Sequence, residues 1–277
     1  MNRGETKLAG VMGWPVAHSK SPRLHGFWLQ QLNVDGAYLS LPVSPEKLLD
    51  KVAGLPALGF RGVNLTIPHK EAVMPLCENL DETARRIGAV NTIVVEEDGA
   101  LQGINTDAFG FIENLRQNSS WTAAAGAAVL LGAGGAARAV AVALSDAGVR
   151  DLRIVNRTSE RVQTLIGSTA IKNASFVSWD ERHQALDGAA LVVNATSLGM
   201  QGNPSLDLNL DALPTTAVVN DIVYAPLQTP LLAAATARSN PVVDGLGMLL
   251  YQAVPSFEAW FGVRPDVTKE LREFVLA

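Results

Sequence analysis

The chain opens with short apolar runs set between stretches of helical period. "KLAGVMG" reads as a strand. In "SPRLHGFWLQQLNV" the apolar residues Leu24, Phe27, Trp28 and Leu32 recur three and four apart, which predicts a helix with one apolar face. "GAYLSLPV" and "GFRGVNLTIP" read as strands on either side of a helical "PEKLLDKVAGL". "NLTIPHK" then runs into "EAVMPLC", which predicts the start of a helix with Lys70 in or near its first turn. "DETARRIGA" predicts a short helix capped by Asp81. In "AVNTIVVEEDGALQGINTD" the turn residues "EEDG" lie between two alternating runs, the pattern of a hairpin. A helix from about Asp107 to Gln117 leads into the polar, small-residue stretch "NSSWTAAAG", which reads as a boundary.

Beyond it the texture changes to a repeated strand–helix alternation. "AAVLLGAG" is followed by a helical "GAARAVAVALSDAG", and "DLRIVNR" by "TSERVQTLIG" with Thr158 or Ser159 as cap. "LVVNATS", "AVVNDIVY" and "NPVVDG" are further short strands. Runs apolar on both faces and separated by helices predict a buried parallel sheet. Two helical stretches, about 246–260 and 266–276, end the pattern.

Composition narrows the classes. The chain has 277 residues, 48% hydrophobic and 18% charged, enough for one large core or two modest ones. A net charge of −5 without a basic run argues against nucleic-acid and anionic-membrane partners. "MNRGETKLAGVMGWP" lacks a leader-like apolar stretch and no window has the ~18 apolar residues of a membrane helix, so a cytoplasmic protein is expected. Cys77 is the one cysteine, and the four histidines are scattered, so no metal is expected. The oligomeric state is not set, and a homodimer stays open.

"LLGAGGAARA" places Gly132, Gly134 and Ala137 in G-x-G-x-x-A spacing between a strand and a helix, the context a dinucleotide site requires. Gly132 permits the tight turn, Gly134 lets a pyrophosphate approach the backbone, and the helix N-terminus offers free N–H groups. The end of the next strand, ~20 residues on, normally carries an acidic residue for the ribose 2′-hydroxyl of NAD. Here it holds Asn156, Arg157 and Thr158, which favours the 2′-phosphate of NADP. Arg157 and Arg161 also suit a solvated helix start.

The first region has its own polar positions. Ser21 before Pro22 reads as a cap with proline at the first helical position, and with Ser19 it suits a carboxylate; a simple capped helix fits the same residues. Asn64 and Thr66 share one face of their strand, and Asn91, Asn105, Thr106 and Asp107 interrupt apolar runs at strand ends. Such groups suit a polyhydroxylated ligand, and they also suit turns.

"GWPVAHSKSP", "NLTIPHK", "GAVNT", "GINTD", "GAGGAARA", "NRT", "NATSLGM" and "DGLGMLLYQA" occur in the order seen in shikimate dehydrogenases, and the chain resembles that family over nearly its whole length. The resemblance implies an α/β fold of two domains: a substrate-binding α/β domain of residues 1–110 plus 246–277, and a Rossmann-type doubly wound NADP-binding domain of residues 111–245. It implies reversible reduction of 3-dehydroshikimate to shikimate with NADPH, in aromatic amino-acid biosynthesis. Ser19 and Ser21 would hold the substrate carboxylate, Thr66, Asn91 and Gln252 the ring hydroxyls, and Tyr224 would lie near the substrate. Lys70 and Asp107 would be the catalytic pair. Gly132, Ala133, Gly134, Gly135 and Ala136 would cradle the pyrophosphate, Asn156, Arg157 and Thr158 the 2′-phosphate, and Thr196, Gly245 and Met248 would lie near the cofactor. Gly26 stands where many relatives carry a polar residue.

An ammonium beside a carbonyl that receives hydride stabilises the developing oxyanion and supplies a proton. A helix N-terminus would lower the pKa of Lys70 and a neighbouring Asp107 would raise it, so the two are expected to titrate as a pair. Three other readings remain: a quinate/shikimate dehydrogenase, a dehydrogenase of another small polar ketone, and a non-catalytic NADP-sensing module. The last needs no lysine–aspartate pair.

Overall fold

The computed structural model describes residues 6–277, and the start of the stretch read above for a leader, residues 1–5, lies outside them. The chain divides into two compact units, Met1–Thr106 with Gln252–Ala277, and Asp107–Tyr251.

The first unit is built on a six-stranded mixed sheet. Its strands are β1 (Lys7–Gly13), β2 (Gly36–Pro42), β3 (Phe60–Leu65), β4 (Asn79–Leu80), β5 (Thr92–Val95) and β6 (Leu101–Ile104), in the order β2-β1-β3-β5-β6-β4. β1 pairs in parallel with β2 and β3, while β5 and β6 form the expected antiparallel hairpin. The helices are α1 (Ser21–Gln31), α2 (Leu48–Ala53) and α3 (Glu82–Ile87), and Asp81 caps α3 by accepting from Ala84 N at 2.6 Å. The core packs Met12, Leu48, Val52, Leu55, Val63, Leu65, Ile87 and Ile93 out of water. At Gly62 (φ 151°) a Cβ would stand 2.0 Å from the Ile93 carbonyl and 2.2 Å from the Trp260 indole nitrogen; without one, the indole N–H reaches that carbonyl at 2.9 Å.

Four local expectations are corrected. α1 buries Ser21, Leu24, His25, Trp28 and Leu29, while Phe27 meets Phe274 and Leu32 lies past the helix end. The 45–55 segment begins as a 3₁₀ turn before α2. β3 stops at Leu65, so Thr66 is not a strand residue facing with Asn64. No α-helix follows Lys70: residues 70–73 are turns, and Met74–Leu76 is a single 3₁₀ turn with Pro75 inside it.

The second unit carries α4 (Asp107–Asn118) and an all-parallel sheet. Its strands are β7 (Ala127–Leu131), β8 (Leu152–Asn156), β9 (Ala174–Ser178), β10 (Ala189–Asn194), β11 (Val218–Asp221) and β12 (Val242–Val243), in the order β12-β11-β10-β7-β8-β9. The helices α5 (Gly135–Asp146), α6 (Ser159–Thr169) and α7 (Pro230–Ala237) connect them. The chain order reverses at β7, a doubly wound arrangement. β7 is buried at all five positions, because helices cover both faces of such a sheet. α8 (Leu246–Phe261) begins in this unit and ends in the first, and α9 (Lys269–Leu276) is the last helix.

Candidate active site

In the first unit, polar side chains distant in sequence form one buried network. Asn91 immediately precedes β5. Its Oδ1 accepts from Thr106 N at 2.9 Å and from Thr92 Oγ1 at 3.1 Å, and its Nδ2 donates to Thr106 Oγ1 at 3.0 Å and Gln252 Oε1 at 3.4 Å. Asn64 on β3 donates from Nδ2 to Thr92 Oγ1 at 2.9 Å and to Ser256 Oγ at 3.3 Å. Gln252 and Ser256 are one turn apart on α8, so a single helix face meets the network twice. Tyr38 on β2 extends it by donating to Asn64 Oδ1 at 2.6 Å.

The network reaches the start of α1. Burial pushes the Tyr38 phenol well above its ordinary pKa, and a hydrogen bond with Ser21 opposes that shift. The expected Ser21 cap is corrected here: α1 begins at Ser21, Lys20 holds the cap position, and no side chain caps the helix. The buried Ser21 hydroxyl serves Tyr38 instead, while Ser19 Oγ accepts from Ser21 N at 3.3 Å. One turn along α1, His25 is fully buried and stacks on Tyr38 with ring centroids 4.0 Å apart. Burial lowers its pKa to about 3, opposed by Asn64, and neither ring nitrogen has a hydrogen-bond partner of normal geometry.

Lys70 is tied to this region through its backbone: its carbonyl accepts from Val90 N at 2.8 Å, one residue before Asn91. Without a following helix, the dipole argument for an altered lysine has no basis. Thr66 is half-buried, with its N–H on the Met12 carbonyl at 3.0 Å. Lys70, Thr66, Asn91 and Gln252 belong to the first unit, whereas Asp107 opens α4 of the second, next in the chain to Thr106. Asn105 donates from Nδ2 to the Ala89 carbonyl at 2.8 Å and so helps fix the approach to that junction.

In the second unit the glycine loop joins β7 to α5. Gly132 has φ 108°, and a Cβ there would meet the Ala195 carbonyl at 3.1 Å. Gly134 caps α5 without a side-chain bond, and a Cβ at Gly134 or Gly135 would enter open space. The loop thus presents bare backbone and a twelve-residue helix N-terminus to solvent, flanked by Ala133 and Ala136, the cradle that a pyrophosphate fits. At the end of β8, Asn156 Nδ2 donates to the Thr158 carbonyl at 2.9 Å, Arg157 is exposed, and Thr158 holds the cap position of α6 without a side-chain capping bond. These residues fit a 2′-phosphate: an exposed cation, an uncommitted hydroxyl and no carboxylate.

The "NATS" loop is held from below. Thr196 donates from Oγ1 to Asn194 Oδ1 at 2.7 Å, and Asn194 donates from Nδ2 to Asp221 Oδ1 at 3.0 Å. Asp221 also accepts from Val223 N at 3.0 Å and Thr229 Oγ1 at 2.7 Å. Burial raises the carboxyl pKa of Asp221, and these hydrogen bonds oppose the rise. Tyr224 follows β11, and burial raises its phenol too. At Gly245 a Cβ would lie 2.2 Å from the Ile222 carbonyl oxygen, so this glycine brings the start of α8 against the Ile222 and Val223 backbone; Met248 is half-buried on the first turn of α8. Among the described residues no group of three or more His, Cys, Asp or Glu could hold a metal ion.

Comparison with known proteins gives the family. Residues 11–93 match the shikimate dehydrogenase substrate binding domain, 115–201 the shikimate / quinate 5-dehydrogenase family, and 245–269 the shikimate 5′-dehydrogenase C-terminal domain. The NADP(+) shikimate dehydrogenase of Paramagnetospirillum magneticum is 62% identical over 275 residues, covering 99% of each chain. The chain belongs to the shikimate dehydrogenase family. A shikimate 5-dehydrogenase from Thermus thermophilus, solved with NADP(H) and shikimate, matches this family member with a TM-score of 0.87 at 36% identity, covering 98% of this chain and 99% of that one. A quinate dehydrogenase from Corynebacterium glutamicum, solved with NAD, matches with a TM-score of 0.89 at 32% identity and the same coverage.

Sequence reasoning did not find Tyr38, Thr92, Ser256, Asn194, Asp221 or Thr229. A buried Asp in the otherwise apolar "AVVNDIV" was a signal for Asp221. The Asn64–Ser256 contact joins residues 192 positions apart, beyond any local pattern.

Proposed function

We propose that this family member catalyses the reversible reduction of 3-dehydroshikimate to shikimate with NADPH, a step of aromatic amino-acid biosynthesis, with Lys70 and Asp107 as its catalytic pair. The observation that carries this reading is the buried Asn64–Thr92–Asn91–Thr106–Gln252 network. It fixes amide and hydroxyl groups of the kind that bind ring hydroxyls; Thr106 precedes Asp107 in the chain, and Asn91 follows Val90, whose N–H donates to the Lys70 carbonyl.

The bound cofactor supplies the hydride that converts the ketone carbon to a secondary alcohol carbon. Lys70 donates a hydrogen bond to the ketone oxygen and passes it the proton as negative charge develops there. Asp107 compensates the ammonium and orients it. In the reverse direction the pair takes the hydroxyl proton. Ser19 and Ser21 hold the carboxylate, Thr66, Asn91 and Gln252 the ring hydroxyls, and Tyr224 lies near the substrate. Gly132, Ala133, Gly134, Gly135 and Ala136 hold the pyrophosphate. Asn156, Arg157 and Thr158 hold the 2′-phosphate, Gly245 and Met248 lie near the nicotinamide, and Thr196 lies near the cofactor. The first unit binds substrate and the second binds cofactor.

The reading includes a cytoplasmic enzyme without a nucleic-acid partner, in keeping with the net charge of −5. No helix among the described residues is long and apolar enough to cross a membrane. It also includes a homodimer, for which the edge strand β2 has unpaired backbone and an exposed Leu39; sedimentation velocity tests this. The quinate alternative is supported by the Corynebacterium neighbour, and Asn156 in place of a carboxylate weighs against its NAD dependence. The deciding experiment follows NADPH oxidation with 3-dehydroshikimate, then NADP+ and NAD+ reduction with shikimate and with quinate. Turnover confined to the shikimate couple with NADP supports the proposal; comparable turnover of quinate, or none of either, rejects it.

A further inference from the structure

The parallel register of β8 and β9 pairs Asn156 with Ser178, so Arg157 and Trp179 leave the sheet side by side. The Arg157 guanidinium carbon lies over the Trp179 ring, 5.8 Å from its centroid. Among the described residues Arg157 has no carboxylate partner, so the indole is what holds this exposed cation. The indole itself is fixed. It packs against the core that contains Val155, Leu186 and Val192, and Arg182 lies over the same ring at 5.4 Å. Arg182 is anchored in turn, donating to Asp207 Oδ2 at 2.5 Å, to the Asp207 carbonyl at 2.7 Å and to the Trp179 carbonyl at 2.9 Å. A mobile surface arginine loses rotamer freedom when it grips a ligand; one already lying on a rigid aromatic face has lost part of it beforehand.

We propose that Trp179 is a positioning residue for cofactor choice: its indole presets Arg157 for the 2′-phosphate and so favours NADP over NAD. The proposal rests on the reading of Arg157 as a 2′-phosphate ligand. It assigns discrimination to a side chain that touches neither the phosphate nor the reacting atoms. Because the indole acts through Arg157, removing it weakens only ligands that carry the 2′-phosphate.

Calorimetric titration with adenosine 2′,5′-bisphosphate and with adenosine 5′-monophosphate measures this without turnover. Trp179→Leu is expected to weaken the bisphosphate roughly 3–10-fold, the scale of one lost cation–π contact, and to change the monophosphate less than ~2-fold. Trp179→Phe keeps the packing with a weaker ring face and is expected to lose an intermediate amount. In steady state the same factor appears in KM for NADP+, with kcat and KM for NAD+ unchanged. Arg157→Ala serves as the reference. If Arg157→Ala leaves the bisphosphate preference intact, the 2′-phosphate reading of Arg157 is wrong. If Arg157→Ala abolishes the preference and neither Trp179 variant lowers it, the inference is overturned while that reading stands. Equal loss for both nucleotides also overturns it, since the indole would then act on the base. In the double variant Arg157→Ala/Trp179→Leu, no loss beyond Arg157→Ala alone is expected, and a further loss rejects coupling through Arg157.

Discussion

The Tyr38 hydroxyl donates to the Asn64 side-chain oxygen at 2.6 Å inside the first unit, and together with its hydrogen bond to Ser21 this joins the start of α1 to the Asn91–Gln252 cluster. Tyr38→Phe keeps the ring stacked on His25 and leaves Asn64 Oδ1 without a donor. A buried acceptor left unpaired costs ~1–3 kcal/mol, so urea unfolding is expected to show a loss of that size. Because Ser21 also loses its phenol partner, KM for shikimate is expected to rise more than kcat falls. A stability loss with both constants unchanged would show that the bond serves the fold alone.

His25 makes the first unit sensitive to acid. Its pKa is about 3 in the fold against 6.5 in the unfolded chain, so between those values the unfolded state binds a proton that the native state does not. Stability from this group is complete above pH 6.5 and falls as pH drops toward 3, by ~1.4 kcal/mol per pH unit. The rings of Tyr38, Trp28, Phe257 and Trp260 surround it, and none of them titrates in this range. Asp81 and Asp221, whose carboxyls are raised by burial, act in the opposite sense: their contribution is present at low pH and is lost as pH rises through the raised value. The difference between wild type and His25→Phe isolates the histidine. Urea unfolding of both at pH 7, 6 and 5 is expected to show a shallower decline for the variant, and parallel lines would exclude the role.

Much of this architecture is legible in the chain where local pattern and global fold agree. β7 and α5 are an apolar run, a glycine turn and a helical period in sequence, and all three appear. The hairpin β5–β6 follows from alternation around "EEDG". The elements left unread in the sequence lie where the chain's apolar content carried no period. "PLLAAATA" is α7 but is apolar all round, and "ASFVS" is β9 with small polar residues at alternate positions. After Lys70, Pro75 limits the apolar stretch to a 3₁₀ turn, so composition suggested a helix that the backbone does not form. The candidate residues Asn64, Asn91 and Thr106 were visible as polar interruptions. Ser256, the partner of Asn64 and Thr92, was not, because only the return of α8 into the first unit brings it there.

The Asp221 carboxylate ties the end of β10, the Val223 backbone and the α7 cap together by accepting from Asn194, Val223 and Thr229. Asp221→Ala strands three buried donors at once and is expected to lower stability by about 3 kcal/mol or more, measured by thermal and urea unfolding. Thr229→Val removes one donor at the α7 cap and should cost about 1 kcal/mol. Since Thr196 hangs on Asn194, KM for NADPH is expected to rise in Asp221→Ala. An unchanged KM would separate the network from the cofactor loop.

Lys70 sits on a turn and not at a helix start, so its proposed role rests on the pairing with Asp107 proposed above. Asp107 occupies the first turn of α4, where an anion is favoured. Lys70→Ala is expected to lower kcat by ~10²–10⁴-fold, the span for loss of an acid–base group, with KM for shikimate nearly unchanged. A kcat within a fewfold of wild type would remove Lys70 from the mechanism.

Gly134 offers a way to separate folding from cofactor binding in the proposed site. Its φ of −85° and ψ of −172° are open to any residue, and a Cβ there meets no protein atom within 4 Å. Gly134→Ala should therefore melt like wild type, within ~0.5 kcal/mol. In the proposed site the added methyl would instead occupy the space through which the pyrophosphate reaches the helix N-terminus. Affinity for NADPH, read by fluorescence titration, is expected to fall by at least ~10-fold, or ~1.4 kcal/mol. Gly132→Ala gives the contrasting pattern: at φ 108° it strains the turn and presses on the Ala195 carbonyl, so stability and affinity fall together. If Gly134→Ala bound NADPH normally, the loop would not be the pyrophosphate seat.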